Sequence, residues 1–124
     1  MSLNARNKGA SGEREAAKWL KGLLKLDYTP ERNLEQVRDG GYDLYVHPFI
    51  VEVKRCETLL LKQWWRQVKH ASAMLEGIPV VLFRQNRQPW RLLISAEYIG
   101  LKSGYVQLDA NETKEWLKWM YSNT

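Results

Sequence analysis

Asp43, Glu52 and Lys54 are charged residues set inside stretches that otherwise read as apolar β-formers, "YDLYV" at 42–46 and "FIVEVK" at 49–54. A charge in a strand interior is costly unless it is paired or binds a metal. Side chains alternate along a strand, so Glu52 and Lys54 share one face while Val51 and Val53 take the other and join the core. His47-Pro48 marks a tight reversal between the two stretches. Folding about it sets Val46 opposite Phe49, Tyr45 opposite Ile50, Leu44 opposite Val51 and Asp43 opposite Glu52. Directly opposed residues have Cβ atoms roughly 4.5–5.5 Å apart. Carboxylates at that distance repel each other unless a cation lies between them. The spacing therefore points to a divalent ion with oxygen ligands, as Mg²⁺ prefers. Lys54, beside it, could orient or deprotonate a water, or stabilise charge on a transferring phosphate. An alternating "VEVK" strand with its charges in solvent needs no function. What favours chemistry is Asp43 in register and a third acid, Glu13.

Glu13 owes its place to a helix expected to start near Ser11 or Gly12. Ala16, Leu20, Leu23 and Leu24 form its buried stripe. Glu13 falls on that stripe, one turn before Ala16 and Ala17, and Glu15 falls on the opposite side, toward water. Residues 1–11 are polar and read as a flexible basic arm carrying Arg6 and Lys8. Residues 32–37 are a weak strand candidate, and "DGG" at 39–41 is a turn signal. A long helix is expected from Leu59 to Glu76, with Leu61, Trp64, Trp65, Val68, Ala71 and Leu75 on its apolar face and Gly77 ending it. "IPVVLF" at 78–83, "WRLLIS" at 90–95 and residues 105–108 read as strands. A C-terminal helix over 111–122, capped by Asn111, closes the chain. The expected order is α-β-β-β-α-β-β and then the last helix, a single α/β domain spanning 1–124.

The chain carries a formal net charge of +5, which favours an anionic partner such as nucleic acid. Oxygen-held Mg²⁺ plus a lysine plus a basic surface points to phosphodiester hydrolysis. Arg6, Lys8 and Arg14 lie on or beside the arm leading to Glu13, and Arg55 adjoins the site. Arg84, Arg87 and Arg91 cluster at one turn, which could lie at the far sheet edge. Such groups would neutralise phosphates without reading sequence. The single cysteine, Cys56, excludes an intramolecular disulfide framework and reads as a passive thiol. A cytoplasmic setting is expected. No run of about 18 apolar residues suggests a membrane span, and the first residues lack the apolar core of a signal peptide. His47 and His70 have no partners at zinc spacing. With no Walker A loop and no G-x-G-x-x-G, nucleotide hydrolysis has no support.

"GYDLYV…VEVK" resembles the PD-(D/E)XK nuclease signature, an Asp at a strand start followed by E-x-K on the adjoining strand, with Tyr42 in place of the signature's proline. "RNKGASGERE" before an amphipathic helix is similar to the start of archaeal-type Holliday junction resolvases and their phage-borne relatives. The resemblance covers Arg6 to about Ser95. It implies a restriction-endonuclease-like mixed β-sheet core and Mg²⁺-dependent endonucleolytic cleavage of DNA, with Mn²⁺ as a substitute ion. It assigns Glu13, Asp43 and Glu52 to the metal, Lys54 to catalysis, and Gln67, with Gln63 behind it, to a supporting role at the site. It also implies a homodimer acting on branched or four-way DNA, in a phage-encoded or cellular protein. Other tasks on the same fold, such as end processing, flap cleavage or restriction, stay open, as does a non-catalytic DNA-binding module. Six tryptophans exceed what a small core normally needs. Trp64 and Trp65 cannot both point to the centre of one helix face, and Trp116 and Trp119 are spare, so an aromatic dimer contact is one reading and a covered shallow core the other.

Overall fold

The computed structural model describes residues 3–34 and 41–124, with side chains from Gly9 onward. Among the described residues, three α-helices flank one five-stranded sheet. Helix α1 (Leu3–Leu24) leads to a hairpin of β1 (Leu44–Val46) and β2 (Phe49–Arg55). Helix α2 (Leu61–Ser72) then crosses over to β3 (Ile78–Arg84). Strands β4 (Arg91–Ser95) and β5 (Tyr105–Leu108) follow, and α3 (Ala110–Ser122) closes the fold. The strands lie in chain order, with β2 and β3 parallel and the other neighbours antiparallel. Among the described residues no helix is long and apolar enough to cross a membrane.

The hairpin register follows the alternation of its side chains. Leu44 pairs with Val51, Tyr45 with Ile50 and Val46 with Phe49. Because one face must be buried, a slip of one residue would turn every apolar side chain to the wrong side. That face is the larger core: Val51 and Val53 pack with Ala16, Ala17, Leu20 and Leu24 of α1 and Leu117 of α3. The opposite face is covered by α2, whose Trp64, Trp65 and Val68 meet Val81, Phe83 and Leu93. Both adjacent tryptophans are buried, although they cannot both point to the centre of one helix face. Trp64 packs on Phe83 and Trp65 on Tyr105, with ring centroids 5.6 and 6.1 Å apart. Each such side chain contributes about 1.5–3 kcal/mol by leaving water.

Several boundaries differ from expectation. The backbone is already helical at Leu3, so residues 3–11 are part of α1 and not a separate arm; residues 1–2 of the expected arm lie outside the described residues. Helix α2 stops at Ser72 rather than Glu76, because the apolar residues beyond it find no sheet to cover: Met74 is 95% exposed. Gly77 does not end that helix but immediately precedes β3. At φ 150°, any Cβ there would come within 2.9 Å of Ile50 and of the Pro48 carbonyl oxygen. The cap of α3 is Asp109, not Asn111; its carboxylate accepts from the Glu112 N–H and the Glu112 carboxylate accepts from the Asp109 N–H, both at 2.8 Å. This reciprocal D-x-x-E pair satisfies two otherwise orphaned donors. Of the expected 32–37 strand, the described residues 32–34 show one bridge, between Arg32 and Leu44, so among the described residues two strands rather than three precede α2. Residues 35–37 of it, and 39–40 of the expected turn, lie outside the described residues.

Candidate active site

Strand β1 pairs with β2 only as far as Leu44–Val51, which leaves the edge of β2 open beside Glu52 and Val53. Asp43 closes that edge with its own atoms. Its N–H donates to the Val51 carbonyl at 3.0 Å, and its Oδ2 accepts from the Val53 N–H at 2.7 Å. A side chain therefore takes the place of a missing strand, and the carboxylate is held rigidly. Glu52 projects beside it from β2, and Lys54 Nζ lies 3.7 Å from Glu52 Oε1. Asp43, Glu52, Lys54 and Glu13 line one pocket of about 370 Å³.

Asp43 is 5% exposed and Glu52 8%. Burial is the main force pushing both carboxyls up, Asp43 to about 6 and Glu52 to about 8. The Val53 N–H and Lys54 work against this at Asp43, and the charges of Asp43 and Glu13 add to it at Glu52. The two side chains share a hydrogen bond, and both carboxyls are shifted toward the protonated form as a pair. Two buried carboxylates side by side in an open pocket are an oxygen donor set that a divalent cation fits, since the cation offsets their mutual repulsion.

Glu13 arrives from the other side. Helix α1 covers the Val51/Val53 face, whereas Glu52 and Lys54 project from the opposite face of β2, so the sheet separates their elements. Glu13 meets them at the open strand edge, and its Oε1 accepts from Arg32 Nε at 2.8 Å. Among the described residues no group of three or more His, Cys, Asp or Glu side chains is arranged to hold a metal ion. The structure thus brings Asp43 and Glu52 together with Lys54, and gives Glu13 an arginine partner at the pocket wall. Gln67 and Gln63 are exposed on α2, and neither lines the pocket.

The basic residues divide. Arg14 and Arg87 are exposed; the side chains of Arg6 and Lys8 lie outside the described ones. Arg55 lines the pocket. Arg84 is not at the far edge of the sheet, because the parallel register sets it beside Arg55. Glu15, expected to face water, is half-buried and binds both: its Oε1 is 3.2 Å from Arg55 Nη1, and its Oε2 is 2.5 Å from Arg84 Nη2. Gly12, one turn earlier, leaves room for this approach; a Cβ there would stand 3.2 Å from Arg55 Cβ. Arg84 also lies over Trp90, and Arg91 over Phe83. Arg32 and Glu15 are the residues that sequence reasoning missed. Both depend on partners brought together only by tertiary packing, and no local pattern signals them.

The family model described as "Phage putative PDDEXK endonuclease" matches residues 4–120. The chain belongs to this family. No curated protein matches it. Among solved structures it is similar to that of Hjc, a Holliday junction resolvase from the archaeal hyperthermophile Archaeoglobus fulgidus, with a TM-score of 0.51 and 15% sequence identity over 82% of this chain and 86% of that one. That likeness is one of fold: a mixed sheet with helices on both faces, of the restriction-endonuclease kind. The hairpin carries an Asp…E-x-K pattern as Asp43, Glu52 and Lys54.

Proposed function

We propose that this PDDEXK protein is a Mg²⁺-dependent endodeoxyribonuclease that hydrolyses phosphodiester bonds in branched DNA, as a Holliday junction resolvase does. The observation that carries the reading is the buried Asp43–Glu52 pair in an open pocket with Lys54 against it. Asp43 and Glu52 would hold the ion, with Glu13 as a further oxygen donor on the wall. Bound there, Mg²⁺ would supply a water of lowered pKa and neutralise charge on the phosphate, and Mn²⁺ would substitute for it. The chain's own residues do the rest. The Val53 N–H fixes the Asp43 carboxylate, the ammonium of Lys54 orients the attacking water and offsets negative charge on the phosphate oxygens, and Arg55 on the pocket wall draws the backbone in.

The likeness in fold to an archaeal resolvase supports the choice of a junction as substrate. A four-way junction has two-fold symmetry, and a C2 dimer matches it. Trp119, 59% exposed, borders a hollow with Trp116 and Leu108 on the β5 side of the sheet, which suits a contact between two copies. A chain with a single cysteine, which can form no intramolecular disulfide, suits the reducing cytoplasm of a host cell.

The test offers four-way junction, flap and linear duplex DNA with Mg²⁺ titrated from zero. Symmetric cutting of the junction is expected, absent without the ion. Asp43→Asn and Glu52→Gln should abolish cutting while leaving the circular-dichroism spectrum unchanged. Undiminished cutting by either variant overturns the mechanism. Cutting of linear ends or flaps in preference to junctions reassigns the enzyme to end processing or flap cleavage.

A further inference from the structure

A cavity of about 550 Å³ opens beside the acid pocket, walled by the rings of Tyr28, Tyr42, Tyr45 and His47 and by Arg32 and Asn33. It is built on the same backbone as the acid pair. Tyr42 immediately precedes Asp43. The Asn33 N–H donates to the Asp43 carbonyl at 2.8 Å, and Asn33 Nδ2 donates to the Tyr42 carbonyl at 3.0 Å. Arg32 stands between the two hollows: it lines this one, and its Nε holds Glu13 on the wall of the other.

The rings form an array. The Tyr42 and Tyr45 centroids are 6.3 Å apart and those of Tyr45 and His47 6.4 Å, with Tyr45 Oη within 3.1 Å of His47 Nδ1. Tyr28 and Tyr45 are 47% and 40% exposed. Single exposed rings are ordinary, but several lining one concave volume are not scattered surface residues. The volume is that of a small-ligand site. Its charges argue against a phosphate: the Arg32 guanidinium is engaged by Glu13, and the cavity wall also carries the carboxylate of Glu31. Flat π-faces with polar edges and little net charge suit a nucleobase.

We propose that this cavity receives an unpaired base of the DNA substrate, stacked on Tyr45 and Tyr42, next to the bond presented to Asp43 and Glu52. The proposal rests on the nuclease reading and adds to it a source of selectivity. In a paired duplex every base must be pulled from its stack to enter, which costs energy; at a branch, flap or bulge an unpaired base enters at little cost. Base–aromatic stacking is tolerant of sequence, so the site reads structure rather than base identity.

Binding is measured in EDTA, where cutting plays no part, by anisotropy of labelled DNA. One branched DNA carries a single unpaired 2-aminopurine nucleotide at the branch; its twin is fully paired. The intact protein should prefer the unpaired form by about ten-fold, with a change in 2-aminopurine fluorescence on binding. Tyr45→Ala should lose most of that preference while binding the paired twin as before, Tyr45→Phe should keep it, and Tyr28→Ala, away from the hairpin, should weaken it. Equal affinity for the two DNAs, binding to neither, or an equal loss on both in Tyr45→Ala overturns the proposal. Absence of Mg²⁺-dependent cutting would overturn the nuclease reading instead, because the preference is read without cleavage.

Discussion

Two charge clusters flank the end of β2, and they are opposites. At one, Asp43 and Glu52 set like charges together out of water, and burial pushes both carboxyls up. At the other, one carboxylate, Glu15, serves two guanidinium groups, Arg55 and Arg84. The second cluster ties α1 to β2 and β3. The first leaves two buried carboxylates side by side, with the ammonium of Lys54 against Glu52. Within one small protein, like-charge crowding distinguishes the Asp43–Glu52 cluster and opposite-charge pairing the Glu15 cluster, although the Nε atoms of Arg55 and Arg84 are buried without a hydrogen-bond partner.

The sharpest way to break this comparison is to neutralise each cluster. Lys54→Met should lower the rate of DNA cutting by roughly 10²–10³-fold, as removal of one charge-stabilising group does, with thermal stability little changed; a loss under ten-fold would remove Lys54 from the chemistry. Glu15→Ala should cost about 1–3 kcal/mol, below the full cost of breaking a buried pair because all three side chains are part-exposed. Urea unfolding would read it, and an unchanged midpoint would mean that the cluster ties nothing together.

The pH dependence of the metal-free protein separates the clusters further. Asp43 and Glu52 have folded pKa values above their ordinary ones, 3.8 and 4.5. Their contribution to stability is therefore fully present below about pH 4 and is lost as pH rises through about 6 and then about 8. Melting in EDTA should fall from pH 5 to pH 9 more steeply in the natural protein than in Glu52→Gln, which should be the more stable of the two at pH 9 by about 1 kcal/mol or more. Mg²⁺ should raise the melting temperature more at pH 8 than at pH 5, since it competes with the proton. Parallel pH curves for the two proteins would end the account of a frustrated pair. The smallest effect is expected at Arg32→Ala, under about 1 kcal/mol, because that ion pair is part-exposed.

The hairpin and its site were legible because both depend on period-two alternation and one tight reversal. Leu44 to Val51 could be paired by counting, and Asp43 then fell beside Glu52 without any knowledge of the rest of the chain. The "DANE" run at 109–112 was equally local, a capping pair readable from its spacing although Asn111 was taken for the cap. The end of α2 was not, because its apolar periodicity continues past the sheet it packs on, and only the sheet's extent decides which turns are stabilised.

What the amino-acid order by itself determined is the set of local facts: the strand alternation, the hairpin register, the opposed acids, and the helix stripe that turns Glu13 inward. What the tertiary structure alone decided is which charges from distant segments meet. Glu15 found Arg84 only because β2 and β3 are parallel and in register, Glu13 found Arg32 at an open strand edge, and Tyr28 joined the rings of the hairpin across a cavity. Alternation is set by bonds between neighbouring residues, whereas these encounters are set by how helices and sheet bury their apolar faces, which no single stretch of sequence encodes.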